Sequence, residues 1–146
     1  MDIKPLLCAL DEEGSLLDLG GVMAERKPHD VAIVGSNLID MLLYARLAKN
    51  FGGGEIRIIS VIDHDSLAYI NKKEFENTFG HLIDRVFFAD MSRPVDVYDH
   101  ICSEEERHQM DAVINLEDIK GAETVSALLI KNKGFLFCLL YTSPSP

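Results

Sequence analysis

The feature that most constrains this chain is a beat of buried strands at nearly constant spacing. "DVAIVG" (30–35), "IRIISVI" (56–62), "RVFFAD" (85–90), "DAVINL" (111–116) and "GFLFCLL" (134–140) are apolar runs rich in Val, Ile, Leu and Phe. Their starts, at residues 30, 56, 85, 111 and 134, lie 26, 29, 26 and 23 residues apart. Near-continuous hydrophobicity is the pattern of parallel strands covered on both faces, not of half-exposed hairpins. Segments of helical period fill the gaps. "NLIDMLLYARLAKNF" (37–51) places Leu38, Met41, Leu42, Ala45 and Ala48 on one stripe and stops at Lys49 and "GGG". "SLAYINKKEFENTFGHL" (66–82) is a second helical stretch, broken near Gly80. "SRPVDVYDHICSEEERHQM" (92–110) opens with Ser92 as a cap and Pro94 in the first turn. "GAETVSALLIKNKG" (121–134) turns Val125, Leu128 and Leu129 inward. Strand and helix alternating in this way, joined by right-handed crossovers, predict an α/β fold: a doubly wound parallel sheet of about five strands, Rossmann-like.

The flanks do not keep the beat. Residues 1–29 read as a helical lead-in ending at the Lys27–Pro28 step, and residues 30–140 as the Rossmann-like, dinucleotide-binding domain. Residues 141–146, "YTSPSP", form a Ser/Pro tail that resembles a translated sequencing adapter. On that reading the native chain continues past about residue 140 and the present one is a fragment.

Composition narrows the partners. Asp and Glu number 24 against 14 Lys and Arg, a net charge of −10. An extended nucleic-acid footprint needs clustered cations to replace phosphate counterions, so nucleic acid is not an expected partner. No apolar run is long enough to cross a membrane, and "MDIKPLLCALDEEG" has no cleavage-site pattern. Cys8, Cys102 and Cys138 are widely separated, without a C-x-x-C pair, and an odd count fits a reducing, cytoplasmic compartment. Cys102 and Cys138 read as core positions, the scattered His29, His64, His81, His100 and His108 as polar surface, and Glu104–Glu106 as a solvated helix face. No metal ligand set is expected. There is no G-x-S-x-G and no G-x-x-x-x-G-K, so no catalytic residue is assigned.

In an open parallel sheet, ligands bind beyond the carboxyl ends of the strands, where the strand order reverses. Here that place is the loop after the first strand, Gly35-Ser36-Asn37. The helix that follows aims its free N–H groups at this loop, a ready anion site, and Ser36 and Asn37 suit either phosphate contact or helix capping. Against the dinucleotide fingerprint G-x-G-x-x-G, Asn37 and Asp40 stand where the second and third glycines belong. The loop therefore reads equally as a plain capped connection. Strand two ends in Asp63, with Asp65 beyond it, where an acid accepts ribose hydroxyls and favours NAD over a 2′-phosphorylated cofactor. Gly35 and Asp63 are 28 residues apart, longer than the usual interval of about 20. Extra length in "NFGGGE" (50–55) accounts for this. Asp63 also suits a simple Asx-turn. Asp90 and Asn115 end strands three and four on the same edge.

The run "DAVINLEDIKGAETVSALLIKNKGFLFC" (111–138) resembles the cofactor domain of medium-chain, zinc-alcohol-dehydrogenase-like enzymes. More narrowly it is similar to the L-erythro-3,5-diaminohexanoate dehydrogenase family, through Asn115 at a strand end and Gly121-Ala122-Glu123 opening a helix. "LLCALDEEGS" followed by "KPHDVAIVG" is similar to that family's lead into its first cofactor strand. The resemblance implies NAD-dependent oxidative deamination of a 3,5-diamino acid, with NADP as the alternative cofactor and a small amino-acid substrate; a homo-oligomer is compatible with the sequence, which does not fix the oligomeric state. It places Gly35, Ser36 and Asn37 at the pyrophosphate, Asp63 at the adenosine ribose, and Asn115 with "EDIKGAE" beside the nicotinamide ribose. The departures are again Asn37 and Asp40. Two other classes compete: a Rossmann-like module that binds no nucleotide and serves a structural or regulatory role, and an S-adenosylmethionine-dependent methyltransferase. The absence of G-x-G-x-G and of an Asn/Asp-Pro-Pro-aromatic segment after strand four counts against the last.

Overall fold

All five apolar runs are strands in the computed structural model of the chain, which describes residues 21, 23–51, 56–63, 72–117 and 119–138. They are β1 (Asp30–Gly35), β2 (Arg57–Asp63), β3 (Arg85–Ala89), β4 (Met110–Asn115) and β5 (Ile130–Cys138). Between them run α1 (Leu38–Phe51), α2 (Lys72–Phe79), α3 (Pro94–Glu104) and α4 (Lys120–Leu129). The strand order is β3-β2-β1-β4-β5 with every pair parallel. This is the doubly wound α/β sheet expected from the spacing, and its order reverses between β1 and β4.

Register shows how the helices divide. Ile33, Ile114 and Phe137 pair across β1, β4 and β5 and so share one face of the sheet. Tyr44 of α1 meets the Phe137 ring on that face, with centroids 6.4 Å apart. Val34, Val61 and Phe87 pair on the opposite face, where His100 of α3 sets its ring edge-on to Phe87 at 5.7 Å. Both faces are therefore covered, and the strand interiors are buried almost throughout. Burying each such Val, Ile or Phe is worth about 1.5–3 kcal/mol, which is why continuous apolar runs carry the fold. Met41, Ala45 and Ala48 form the buried stripe of α1; Val125 and Leu129 do the same for α4.

Four local readings change. Ser92 does not cap α3: Arg93 holds that position without a side-chain bond, and Ser92 donates from its N–H and hydroxyl to Asp90 Oδ1. The Asp90 turn takes Ser92 before the helix can, while Pro94 sits at the first helical turn as expected. The last helix ends at Leu129, and β5 starts at Ile130 rather than Gly134. Met110 pairs with Ile130 but Ala112 with Phe135, so residues between them bulge out of the ladder. Glu105, read as solvated, is only 8 % exposed, because Arg57 and Arg85 reach it from β2 and β3. Cys102 is half-buried rather than core. The segments 1–20, 52–55, 64–71 and 139–146, with Cys8, His64, Asp65 and most of the lead-in and tail, lie outside the described residues.

Candidate functional site

The carboxyl edge of the sheet gathers the residues that the sequence singled out. β1 hands over to α1 through Gly35, Ser36 and Asn37, as the composition of that turn requires. Asn37 caps α1, its Oδ1 accepting the N–H of Asp40 at 3.2 Å, while its carbonyl accepts from Met41 at 3.0 Å. Asp40, in the first turn, suits the positive end of the helix dipole. Gly35 is glycine for packing. A Cβ there would lie 3.2 Å from Leu116 Cβ and 3.4 Å from Met41 Cγ. Leu116 is held in that place by its N–H, which donates to the Val34 carbonyl at 2.8 Å and extends the β1–β4 ladder beyond the strand end.

One further residue, Glu117 at the start of the "EDIKGAE" run, completes the turn. Glu117 takes a hydrogen bond from the Ser36 hydroxyl. Its own N–H donates to Asn115 Oδ1 at 3.0 Å, so Asn115, 3 % exposed, fixes the loop that carries Glu117. Burial pushes the Glu117 carboxyl above the usual range; the Ser36 bond pulls the other way, and the negative charge of Asp63 adds to the rise. Structure thus brings Gly35, Ser36, Asn37, Asp63 and Asn115 to one edge, with Glu117 among them. The sequence signal for Glu117 was an acid two residues past a polar strand end in "INLED". Topology alone shows that this loop faces the turn after β1.

The start of α4 closes the same edge. A Cβ at Gly121 would fall 1.7 Å from the Met91 carbonyl oxygen, so α4 touches the turn after β3 as closely as two backbones can. Among the described residues, no group of three or more His, Cys, Asp or Glu is placed to hold a metal ion. No helix among them is long and apolar enough to cross a membrane.

The opposite, amino edge is built from ion pairs. Asp111 Oδ2 accepts the N–H groups of His29 and Asp30, each at 2.9 Å, and Asp84 Oδ2 accepts that of Ile58 at 2.8 Å. Glu76 Oε2 accepts from Val86 at 3.2 Å. Carboxylates thus satisfy strand N–H groups near the points where β1, β2 and β3 begin. Arg85 spans Glu76, Glu104 and Glu105, and Arg57 joins Glu105 to Asp30.

No family model matches the chain, and no curated protein matches it. Among solved structures it is similar to the C-terminal domain (residues 83–215) of a hydrogenase from Pyrococcus furiosus. The two are 11 % identical, with a TM-score of 0.49 over 75 % of this chain and 90 % of that one.

Proposed function

We propose that the chain is the cofactor-binding part of an NAD-dependent oxidoreductase, with the dinucleotide lying across the β1–β4 crevice. The observation that carries the reading is that the Ser36 hydroxyl already holds an acidic group, the Glu117 carboxyl. A hydroxyl that donates to a carboxylate can donate to a phosphate oxygen as well, at the N-terminus of α1 where the dipole favours it. Ser36 and Asn37 would take the pyrophosphate, Asp63 the adenosine ribose, and Asn115 with the loop after it the nicotinamide side. When bound, NAD supplies the hydride acceptor; the chain supplies orientation and charge. For the phosphate to dock, Glu117 must swing out of the turn. Oxidative deamination of a 3,5-diamino acid as the reaction, and a small amino acid as the substrate, rest on the resemblance of residues 111–138.

A second reading has its own support. Leu116 over Gly35, and Glu117 with Asp63 in the crevice, favour a Rossmann-like module that binds no nucleotide and acts as a structural or regulatory partner. Calorimetric titration with NAD, NADP and S-adenosylmethionine separates the two. The first reading expects NAD to bind, Glu117→Gln to tighten it, and Asp63→Ala to weaken it at least tenfold. Absence of NAD binding to both the wild type and Glu117→Gln overturns the first reading and favours the second, and preference for S-adenosylmethionine overturns both.

A further inference from the structure

A pocket of about 560 Å³ opens on the amino edge, between the segment that enters β1 and the bulge of β5. Its walls carry Arg26, Lys27, Lys131 and Lys133 against only Glu25 and Asp111. In a chain of net charge −10, four cations around one cavity are a local reversal of sign. The size lies within the range of small-molecule sites, about 300–1,000 Å³.

The backbone is held in an unusual form at this pocket. Among the described residues, the non-glycine residues with positive φ are Lys27 (49°) and Lys133 (70°), and both line it. Left-handed backbone is costly for a residue with a Cβ, and Gly or Asn is the usual choice. Lys27 ends the helical turn over residues 23–26, its N–H bonded to the Met23 carbonyl at 2.8 Å, in the position where helices favour glycine. Lysine at both positions retains a side chain where the backbone favours none. Strained residues of this kind cluster at ligand sites.

The pocket already shows what it stabilises. The Asp111 carboxylate sits on two backbone N–H groups, and Lys131 pairs with it. Arg26 lies over the Phe135 ring at 5.7 Å, which fixes a third cation nearby. Among the described residues, the ammonium groups of Lys27 and Lys133 have no acidic partner. They extend from different segments of the cavity wall, an arrangement that suits a ligand with several negative oxygens better than a single carboxylate.

We propose that this amino-edge pocket is a binding site for a compact polyanion, a di- or triphosphate group, held by Lys27 and Lys133 with Arg26 and Lys131 beside them. A compact ligand fits where an extended nucleic acid does not, since the acidic remainder of the surface repels a long polyanion. The site is separate from the β1–β4 crevice and stands whether or not NAD binds there.

The test is calorimetric titration of the whole chain with inorganic pyrophosphate at low salt. The variant is Lys27→Gly combined with Lys133→Gly, which removes both charges and leaves a residue suited to the left-handed backbone. The double variant is expected to fold at least as well as the wild type, by its urea midpoint, and to bind pyrophosphate at least tenfold more weakly. Wild-type affinity should fall as salt rises, and Ser36→Ala should bind pyrophosphate as the wild type does. No binding by the wild type, unchanged binding by the double variant, or loss of binding in Ser36→Ala overturns the proposal. The last outcome moves the phosphate to the crevice and leaves the NAD reading standing.

Discussion

Each edge of the sheet holds one carboxylate of the chain on donors of the β1 region, yet their surroundings are opposite. Glu117, at the carboxyl edge, rests on Ser36 beside the negative Asp63 and titrates above its usual range. Asp111, at the amino edge, rests on the N–H groups of His29 and Asp30 beside Lys131. Burial works against its charge, but those bonds outweigh burial and hold it below the usual range. The same kind of contact thus holds a carboxyl below its usual range at one edge and leaves one above it at the other. Burial opposes the charge at both edges; the three bonds to Asp111 outweigh it, the Ser36 bond to Glu117 does not, and the neighbouring charge adds to each outcome.

The carboxyl edge is most vulnerable at Gly121. Adding a methyl there pushes against the Met91 carbonyl, a backbone atom that cannot turn aside. Gly121→Ala should therefore abolish cooperative unfolding or remove about 4 kcal/mol, read by urea denaturation. At the amino edge, Glu105→Ala leaves Arg57 and Arg85 facing a buried gap. The expected loss is about 3 kcal/mol by the same measurement.

Asp111→Ala should cost about 2 kcal/mol at pH 7, the worth of charge-assisted bonds lost together. Its sign in acid follows from the lowered pKa. The stability it contributes is present above the unfolded value of 3.8 and is lost as pH falls through the folded one, so wild type and variant converge in strong acid. Glu117 runs the other way. A raised pKa means that its favourable contribution is complete below the unfolded value of 4.5 and disappears as pH rises through the folded one. Glu117→Gln should then be more stable than the wild type at pH 7 by about 0.5 kcal/mol, an advantage that vanishes by pH 4. Thermal melts across pH 3–8 distinguish the two slopes. Smallest of all, Lys133→Gly should gain about 0.5 kcal/mol by relieving left-handed backbone.

Much of the architecture was legible because it depends on local pattern. β1 spans Asp30–Gly35 as its apolar run indicates, and the remaining strand ends shift by a residue or two, except at β5. There the run "ALLIKNKGFLFC" is apolar on both sides of the lysines, so periodicity alone could not place the end of α4 at Leu129. What sequence missed was non-local. Glu105 is buried because arginines from two strands meet it, and nothing in "SEEER" announces them. Glu117 and Leu116 enter the turn after β1 only because β4 lies beside β1 in the sheet. In the sequence the turn stands out for the glycines it lacks. The structure adds that Gly35 answers to Leu116, a neighbour in the fold.

The bulge that opens β5 also governs how the sheet can be assembled. A Cβ at Gly134 would lie 2.9 Å from the Asp111 carbonyl oxygen and 3.0 Å from that of Met110. If β5 slipped by one residue along β4, the Cβ of Lys133 or Phe135 would arrive where only a hydrogen fits, and each side chain beyond would turn to the wrong face. The glycine therefore works as a register stop. It rejects misaligned pairings of the outermost strand while the chain is still folding, when an unpaired edge is most exposed to mispairing.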